Sequence, residues 1–212
     1  HITLSLLHNC WTSDVQQLWR LRILVTVKCM IIGITGTDGG GKGTVAKLLV
    51  GKGFKHYSAR EFIMTEIERQ GLEATRNQMR LTANQMRKEH GNEFVVKQAL
   101  EKATKEGEAD VVIESVRAVA EAVYLKDRGG VLLAVDADQK LRYERVQARR
   151  SESDQVTFEQ FVEHEELEKN DPDPNGMQKA QVMEMADYTI YNDNNHEALE
   201  DEVDKFLEKF RG

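Results

Sequence analysis

The sequence predicts an α/β fold in which a five-stranded parallel sheet carries helices on both faces. From Met30 onward, short β-rich runs alternate with longer helical stretches, a pattern typical of parallel strands joined by crossover helices. The runs DVVIE and VLLAVD are continuously apolar and end in an acid, as expected of strands buried on both faces. A third run, MIIGITG, leads into a glycine-rich turn and then a helix. Together these observations predict a three-layer architecture.

The predicted elements follow one another in the order that this architecture needs. Strands are predicted at 30–35, 54–57, 110–114, 131–136 and 188–191. Helices are predicted at 42–50, 59–70, 76–90, 92–106, 117–128, 139–150, 158–169, 177–185 and 196–210. Two helix starts fit the capping box, in which two side chains satisfy each other's free backbone donors: Ser58 with Glu61, and Thr157 with Gln160.

The composition limits the kinds of partner that the chain can have. Of its 212 residues, 40% are hydrophobic and 31% are charged, which is the balance of one globular domain with a packed core. A formal net charge of -7 argues against nucleic acid as a partner. No stretch reaches the roughly 18 apolar residues of a membrane span, so no membrane association is expected. Cys10 and Cys29 are too few for a disulfide framework, which favours the cytoplasm.

The glycine-rich loop GTDGGGKGT, between the first strand and the first helix, is the strongest functional signal. Glycines let the backbone wrap around phosphates, and the N-terminus of the following helix favours anions. The lysine before that helix adds a positive charge for the β and γ phosphates of ATP. The residues expected to bind the nucleotide are Gly36, Asp38, Gly39, Gly40, Gly41, Lys42, Gly43 and Thr44.

The end of this loop departs from the commonest phosphate-loop pattern. Gly43 occupies the position where a Ser or Thr usually coordinates Mg²⁺, and Thr44 follows it. The ending GKGT resembles that of adenylate kinase and the related nucleoside monophosphate kinases, where the metal is held largely through water. The resemblance to this P-loop nucleotide kinase group covers essentially residues 30–212 and implies ATP and Mg²⁺ as cofactors.

The same resemblance assigns roles to residues after the third and fourth strands. RYERVQARR is similar to the adenylate kinase segment that leads into the lid, which implies that Arg145 stacks on adenine and that Arg149 contacts the phosphates of ATP. IESVR places Glu114 where the group has an acid that orients Mg²⁺, with Thr44 as a second metal-binding residue. Arg117 lies near the position of an arginine for the acceptor phosphate, although the wording DGFPR of the family is absent. The catalytic residues are therefore expected to be Lys42, Arg117, Arg145 and Arg149.

The resemblance also divides the chain. Residues 1–29 lack a clear period and are interpreted as an N-terminal extension outside the core, with a terminal helix at 13–21 as the alternative. Residues 30–212 form the predicted kinase-like domain. Three helices between the second and third strands predict an acceptor-binding insertion at about 59–106, and a short lid is expected at about 150–157.

The acceptor is the least determined part of the prediction. HYSAREF has Ser58 and Arg60 after the second strand, and Arg60 resembles the arginine that monophosphate kinases use on the acceptor phosphate. A small nucleotide, most simply a nucleoside monophosphate, is therefore the expected acceptor, with Ser58, Arg60 and Arg117 as its binding residues. In the insertion, the polar side chains Arg76, Arg80, Asn84 and Arg87 fall near one helical face, and a solvated face is the preferred interpretation.

Two alternatives remain open at this point. The tail MADYTIYNDNNHEALEDEVDKFL and the segment VDADQKLRYERV resemble dephospho-CoA kinase, which phosphorylates a hydroxyl group. A hydroxyl acceptor benefits from a carboxylate base, and Arg60 stands where those kinases carry an Asp. The missing acceptor motifs also allow a regulatory module that binds ATP without phosphotransfer. Scattered histidines, in no metal-binding spacing, are expected at the surface: His56, His90, His164 and His196.

Overall fold

A computed structural model describes residues 29–149, 156–169 and 171–211, apart from the side chain of Arg76. A five-stranded parallel sheet with the strand order β2-β3-β1-β4-β5 forms its centre. The strands are β1 (Ile31–Gly36), β2 (Lys55–Ser58), β3 (Val111–Glu114), β4 (Val131–Asp136) and β5 (Tyr188–Tyr191). The α/β fold class predicted from the sequence is confirmed.

Helices cover both faces of this sheet. They are α1 (Lys42–Gly51), α2 (Ala59–Arg69), α3 (Arg76–His90), α4 (Phe94–Glu106), α5 (Val119–Lys126), α6 (Gln139–Ala148), α7 (Phe158–Lys169), α8 (Lys179–Glu184) and α9 (His196–Arg211). The predicted insertion corresponds to α2, α3 and α4. Helices α5 and α8 each begin two residues later than predicted, because the residues before them form a loop contact in which the amide of Gln178 donates to the carbonyl of Arg117 at 2.9 Å.

Two apolar cores lie on opposite faces of the sheet, as the alternation of side chains along its strands requires. Ile32 faces the core built with α1 and α9, where Leu49 and Phe206 are fully buried. Its neighbour Ile31 faces the core that α4 and α5 complete, with Leu125 fully buried there. The central strands are therefore covered on both sides, which explains their continuous apolar runs.

The two predicted capping boxes have different outcomes. At the start of α7, the amide of Thr157 donates to Gln160 Oε1 at 2.9 Å and the amide of Gln160 donates to Thr157 Oγ1 at 3.3 Å, so this box is confirmed. At the start of α2, Ser58 makes no capping hydrogen bond, so the prediction with Glu61 is wrong. Ser58 is also the last residue of β2, in register with Glu114, and its extended backbone belongs to the strand.

Some predicted segments are not part of this description. Residues 1–28 of the predicted N-terminal extension lie outside the described residues, as do residues 150–155 of the predicted lid. Within the described ranges, no helix has the length and apolar character needed to cross a membrane.

Candidate active site

A cavity of about 910 Å³ lies at the carboxyl edge of the sheet, between the glycine-rich loop and helices α2, α3 and α7. Among the described residues that line it, seven are basic and three are acidic, although the chain as a whole has a net charge of -7. The basic residues are Lys42, Lys47, Arg60, Arg80, Arg87, Arg117 and Arg149, and the acidic residues are Asp38, Glu114 and Glu168. This local excess of positive charge suits phosphate-bearing ligands.

The glycine-rich loop approaches the neighbouring strand so closely that a side chain would not fit. Gly36 has a φ of +132°, and a Cβ there would lie 2.0 Å from the carbonyl oxygen of Val135 in β4. The loop is also held by Thr37, whose hydroxyl donates to Asp136 Oδ1 at 2.6 Å. These contacts shape the loop before any ligand binds.

Lys42, at the start of α1, points back into this loop. Its ammonium group donates to the carbonyls of Gly36 at 3.1 Å and Thr37 at 2.6 Å, and lies 3.6 Å from Asp38 Oδ1. Burial lowers the pKa of Lys42 to about 8, against the attraction of Asp38 and with repulsion from Lys179 and Arg117. The predicted phosphate-binding lysine is therefore held against the loop backbone, with a pKa below the usual lysine value.

Asn192, which directly follows β5, supports the loop from the opposite side. Its side-chain amide donates to the carbonyl of Gly40 at 2.9 Å, and the residue is only 8% exposed. Its own carbonyl accepts from Arg145 Nη1 at 2.9 Å. Arg145 is therefore turned towards the loop after β5 and does not line the central cavity, whereas Arg149 does. The roles predicted for Arg145 at the adenine and for Arg149 at the phosphates of ATP stay predictions.

The carboxylate of Asp38 brings three cations together. Asp38 Oδ1 lies 3.6 Å from each of Lys42 Nζ, Arg117 Nη2 and Lys179 Nζ. Glu168 pairs with the last two, at 2.8 Å from Lys179 and 3.7 Å from Arg117. Arg117, which was expected to bind the acceptor phosphate, thus lies beside the phosphate loop. Lys179 was not predicted, because its acidic partners come from distant parts of the sequence.

Glu114, at the end of β3, has the properties of a magnesium-binding acid. Burial would raise the pKa of Glu114, but the hydrogen bond from His56 and the charges of Lys42 and Arg117 outweigh it and lower that pKa. His56 Nε2 lies 3.1 Å from Glu114 Oε2. A Cβ on Gly43 would lie 3.6 Å from Glu114 Oε1, so the carboxylate faces the start of α1. An ionised oxygen donor beside the loop fits Mg²⁺. Thr44, its predicted companion, lines the same cavity.

The polar face of α3 is buried, so the interpretation of its side chains as a solvated face is wrong for two of them. Asn84 is 4% exposed and Arg87 is 3% exposed, and both line the cavity. Arg87 Nε donates to Glu121 Oε1 at 3.0 Å, and Asn84 Nδ2 donates to Asp173 Oδ2 at 2.9 Å. These acids lie far along the sequence, which hid the contacts from sequence analysis.

Ser58 and Arg60, the residues of β2 and α2 predicted to bind the acceptor, both line the cavity, and Arg60 is exposed at the first turn of α2. On α3, Arg80 also lines the cavity and donates through Nη1 to Asp171 Oδ2 at 2.9 Å. The acceptor role of these residues stays a prediction.

Two of the four histidines predicted at the surface are exposed, and two are partly buried. His90 and His196 are exposed, as expected. His56 is half-buried against Glu114, and His164, in α7, lines the cavity. The Nδ1 atom of His164 is buried and has no hydrogen-bond partner among the described residues.

Arg142, in α6, is a structural arginine that the sequence analysis did not single out. It is 6% exposed, forms an ion pair with the buried Glu165 and donates from Nε to the carbonyl of Ala137 at 2.8 Å. Its Nη1 also donates to the backbone carbonyl of Asp38 at 3.3 Å. These bonds join α6 and α7 to the phosphate loop.

Similar proteins are found by sequence and by structure. Residues 32–172, which are more than half of the chain, match the AAA domain family AAA_18. UPF0200 protein PAE1629 from Pyrobaculum aerophilum is 33% identical over 184 residues, covering 85% of this chain and 98% of that protein. A UPF0200 protein from Methanococcus vannielii is 32% identical over 181 residues, covering 84% and 91%.

Several solved structures share the fold. TT1252 from Thermus thermophilus has a TM-score of 0.59 at 21% identity and covers 86% of this chain and 98% of its own. Shikimate kinase from Acinetobacter baumannii in complex with shikimate has a TM-score of 0.53 at 20% identity, covering 86% and 93%. Dephospho-CoA kinase from Campylobacter jejuni has a TM-score of 0.50 at 15% identity, covering 84% and 96%. Likeness at such identities concerns the fold alone, and it confirms the predicted P-loop kinase fold.

Proposed function

The chain belongs to the AAA domain family AAA_18 and to the UPF0200 proteins, and we propose that it is an ATP-dependent phosphotransferase that acts on a nucleoside monophosphate. The observation that carries this proposal is the charge of the central cavity. Seven basic residues and three acidic ones line it, in a chain of net charge -7, and Arg60 and Arg80 add positive charge to it from α2 and α3, outside the phosphate loop. A second phosphate-bearing ligand would use these two arginines.

The phosphate loop supplies the ATP side of this cavity. Lys42, held by the carbonyls of Gly36 and Thr37, would exchange these contacts for the β and γ phosphates of ATP. Glu114 and Thr44 would hold Mg²⁺, directly or through water. Bound Mg²⁺ would supply positive charge that offsets the charge of the phosphates.

The arginines would neutralise the transferring group and orient the acceptor. Arg117, beside Lys42 through their shared neighbour Asp38, lies where charge develops between the two ligands. Arg60 and Arg80 line the opposite wall and would bind the phosphate of the acceptor. A phosphate acceptor is already ionised, so positioning and charge neutralisation would suffice without a base.

Asp38 favours a second candidate function, transfer to a hydroxyl group. Its carboxylate lines the cavity, 3.6 Å from Lys42 Nζ, and a carboxylate in this place can accept the proton of an attacking hydroxyl. The acceptor would then be an alcohol, as the names of dephospho-CoA kinase and shikimate kinase imply for those proteins.

An acceptor-dependent ADP-release assay tests these candidates. Nucleoside monophosphates, dephospho-CoA and shikimate are each supplied with ATP and Mg²⁺. Turnover with a monophosphate supports the proposal, and turnover only with an alcohol moves the assignment to the second candidate. ATP binding without acceptor-dependent ADP release from any of them contradicts phosphotransfer and supports a regulatory module. Lys42→Ala should abolish turnover, whereas Lys105→Ala, on an exposed lysine of α4 outside the cavity lining, should retain most of it.

A further inference from the structure

We propose that Asn84 and Arg87 of α3 form a subsite for the base of the acceptor nucleotide. This inference rests on the proposed function and adds to it the part of the acceptor that is recognised besides its phosphate. Both residues line the central cavity, and both are more than nine-tenths buried. They are three positions apart, so their side chains are neighbours on one helix face.

Each of these side chains is oriented by a partner that leaves one polar atom unused. Asn84 Nδ2 donates to Asp173 Oδ2 at 2.9 Å, which fixes the direction of the amide. The other amide atom, Oδ1, is buried and accepts no hydrogen bond from the described residues. Arg87 Nε donates to Glu121 Oε1 at 3.0 Å, and its Nη1 is likewise buried without a partner in the described ranges.

Unused polar atoms of this kind are costly in a folded protein. A buried donor or acceptor without a partner costs about 1–3 kcal/mol, so native structures keep few of them. Here an unused acceptor, on Asn84, and an unused donor, on Arg87, occur in two residues that line the same cavity. If these side chains turn towards the cavity when a ligand binds, a ligand that offers a donor beside an acceptor would satisfy both.

The surroundings of the pair fit a flat heterocycle. Ile63, Met79 and Ala83 line the same cavity and pack into one apolar cluster beneath α3. An apolar wall can cover the face of a ring while the two polar atoms bind its edge. Every nucleobase has a hydrogen-bond donor next to an acceptor on one edge, whereas a sugar phosphate lacks the ring.

A comparison of nucleotides with ribose 5-phosphate tests the subsite. The full chain is saturated with a non-hydrolysable ATP analogue and Mg²⁺, and AMP, CMP, GMP, UMP and ribose 5-phosphate are titrated by calorimetry. At least one nucleotide should bind more than about tenfold more tightly than ribose 5-phosphate, as two hydrogen bonds and ring burial imply. Equal binding of all five ligands would overturn the subsite and leave the phosphorylated-acceptor proposal intact. Failure of all five to bind would overturn both.

Variants of α3 then show which side chains cause the preference for a nucleotide over ribose 5-phosphate. Asn84→Ala should weaken binding of the preferred nucleotide about tenfold and change ribose 5-phosphate binding less than about twofold, because only the former loses a hydrogen bond. Arg87→Lys, which keeps a charge near Glu121, should also reduce the ratio of nucleotide affinity to ribose 5-phosphate affinity. Gln85→Ala, on an exposed neighbour in α3, is the matched control and should leave this ratio unchanged. An equal loss for both ligands in Asn84→Ala would assign these side chains a structural role and contradict the subsite. If a variant does not fold, the wild-type comparison decides alone.

Discussion

The two sides of the central cavity are built in different ways. On the phosphate-loop side, hydrogen bonds from Asn192 to the carbonyl of Gly40 and from Thr37 to Asp136 hold the loop, and Asp38 lies 3.6 Å from Lys42. On the side of α3, buried ions hold the wall, with Arg87 paired to Glu121, and unused polar atoms remain. Asn192 and Thr37 therefore hold the loop through bonds made without a ligand, whereas Asn84 and Arg87 each keep an unused atom that the proposed acceptor would satisfy. We accordingly expect the loop side to depend less on the identity of the acceptor than the α3 side.

Removal of the acid that holds the α3 side should have the largest effect. Glu121 is fully buried and accepts from Arg87 Nε and from the amides of Arg117 and Ala118. Glu121→Ala should therefore destabilise the fold by about 3–5 kcal/mol in denaturant unfolding, because it leaves a buried charge unpaired. Glu121→Gln, which keeps an acceptor oxygen, should lower the free energy of unfolding by less than the alanine variant does. A loss below about 1 kcal/mol in the alanine variant would show that the α3 side does not depend on this ion pair.

The loop side should respond to pH through Lys42. Because burial lowers the pKa of Lys42 to about 8, its charge is lost as the pH rises through that value. The affinity for ATP should then fall by about tenfold per pH unit above pH 8.

In the unliganded protein, the lowered pKa of Lys42 makes the free energy of unfolding rise with pH. The unfolded chain binds more protons between pH 8 and 10.5, so the contribution of Lys42 to the free energy of unfolding rises with pH in this range.

Calorimetric titrations of ATP between pH 7 and pH 9.5, with Lys42→Arg as the control, check this prediction. An arginine keeps its charge throughout this range, so the variant should show a flat profile even if it binds ATP more weakly. A decline of equal slope in Lys42→Arg would show that another group causes it.

A smaller effect is expected where Asn192 supports the loop. Asn192→Ala removes the hydrogen bond to the carbonyl of Gly40, and the less ordered loop should bind ATP about tenfold more weakly. Asn194→Ala, at an exposed position of the same connection, should leave ATP affinity unchanged. If the two variants bind ATP equally well, the rigidity ascribed to the loop does not depend on Asn192.

The smallest effect is expected at Gly43. A Cβ there meets only Glu114 Oε1, at 3.6 Å, so Gly43→Ser should change the free energy of unfolding by less than about 0.5 kcal/mol. Gly36→Ala offers the contrast, since a Cβ would lie 2.0 Å from the carbonyl oxygen of Val135 and the positive φ adds about 1–3 kcal/mol of strain. Thermal unfolding of the two variants side by side would reveal whether the loop tolerates a side chain only at its helical end.

Local features were predictable from the sequence, and long-range pairings were not. The strands β4 and β5 have the predicted bounds, because apolar runs between turn residues mark buried strands directly. The burial of Arg87 depends on Glu121, 34 positions away, and that of Asn84 on Asp173, 89 positions away. Sequence spacing within one helix could not reveal such partners, so these residues were placed on a solvated face. His56 was placed at the surface for the same reason, since its partner Glu114 is 58 positions further along the chain.

The transfer of label from ATP to an acceptor tests most directly that both sides of the cavity act together. ATP labelled in its γ phosphate is incubated with the protein, Mg²⁺ and each nucleoside monophosphate, and the products are separated. We predict one labelled nucleoside diphosphate for each ATP consumed, and none with Lys42→Ala. Label recovered only as inorganic phosphate, at a rate that no monophosphate changes, would contradict the account.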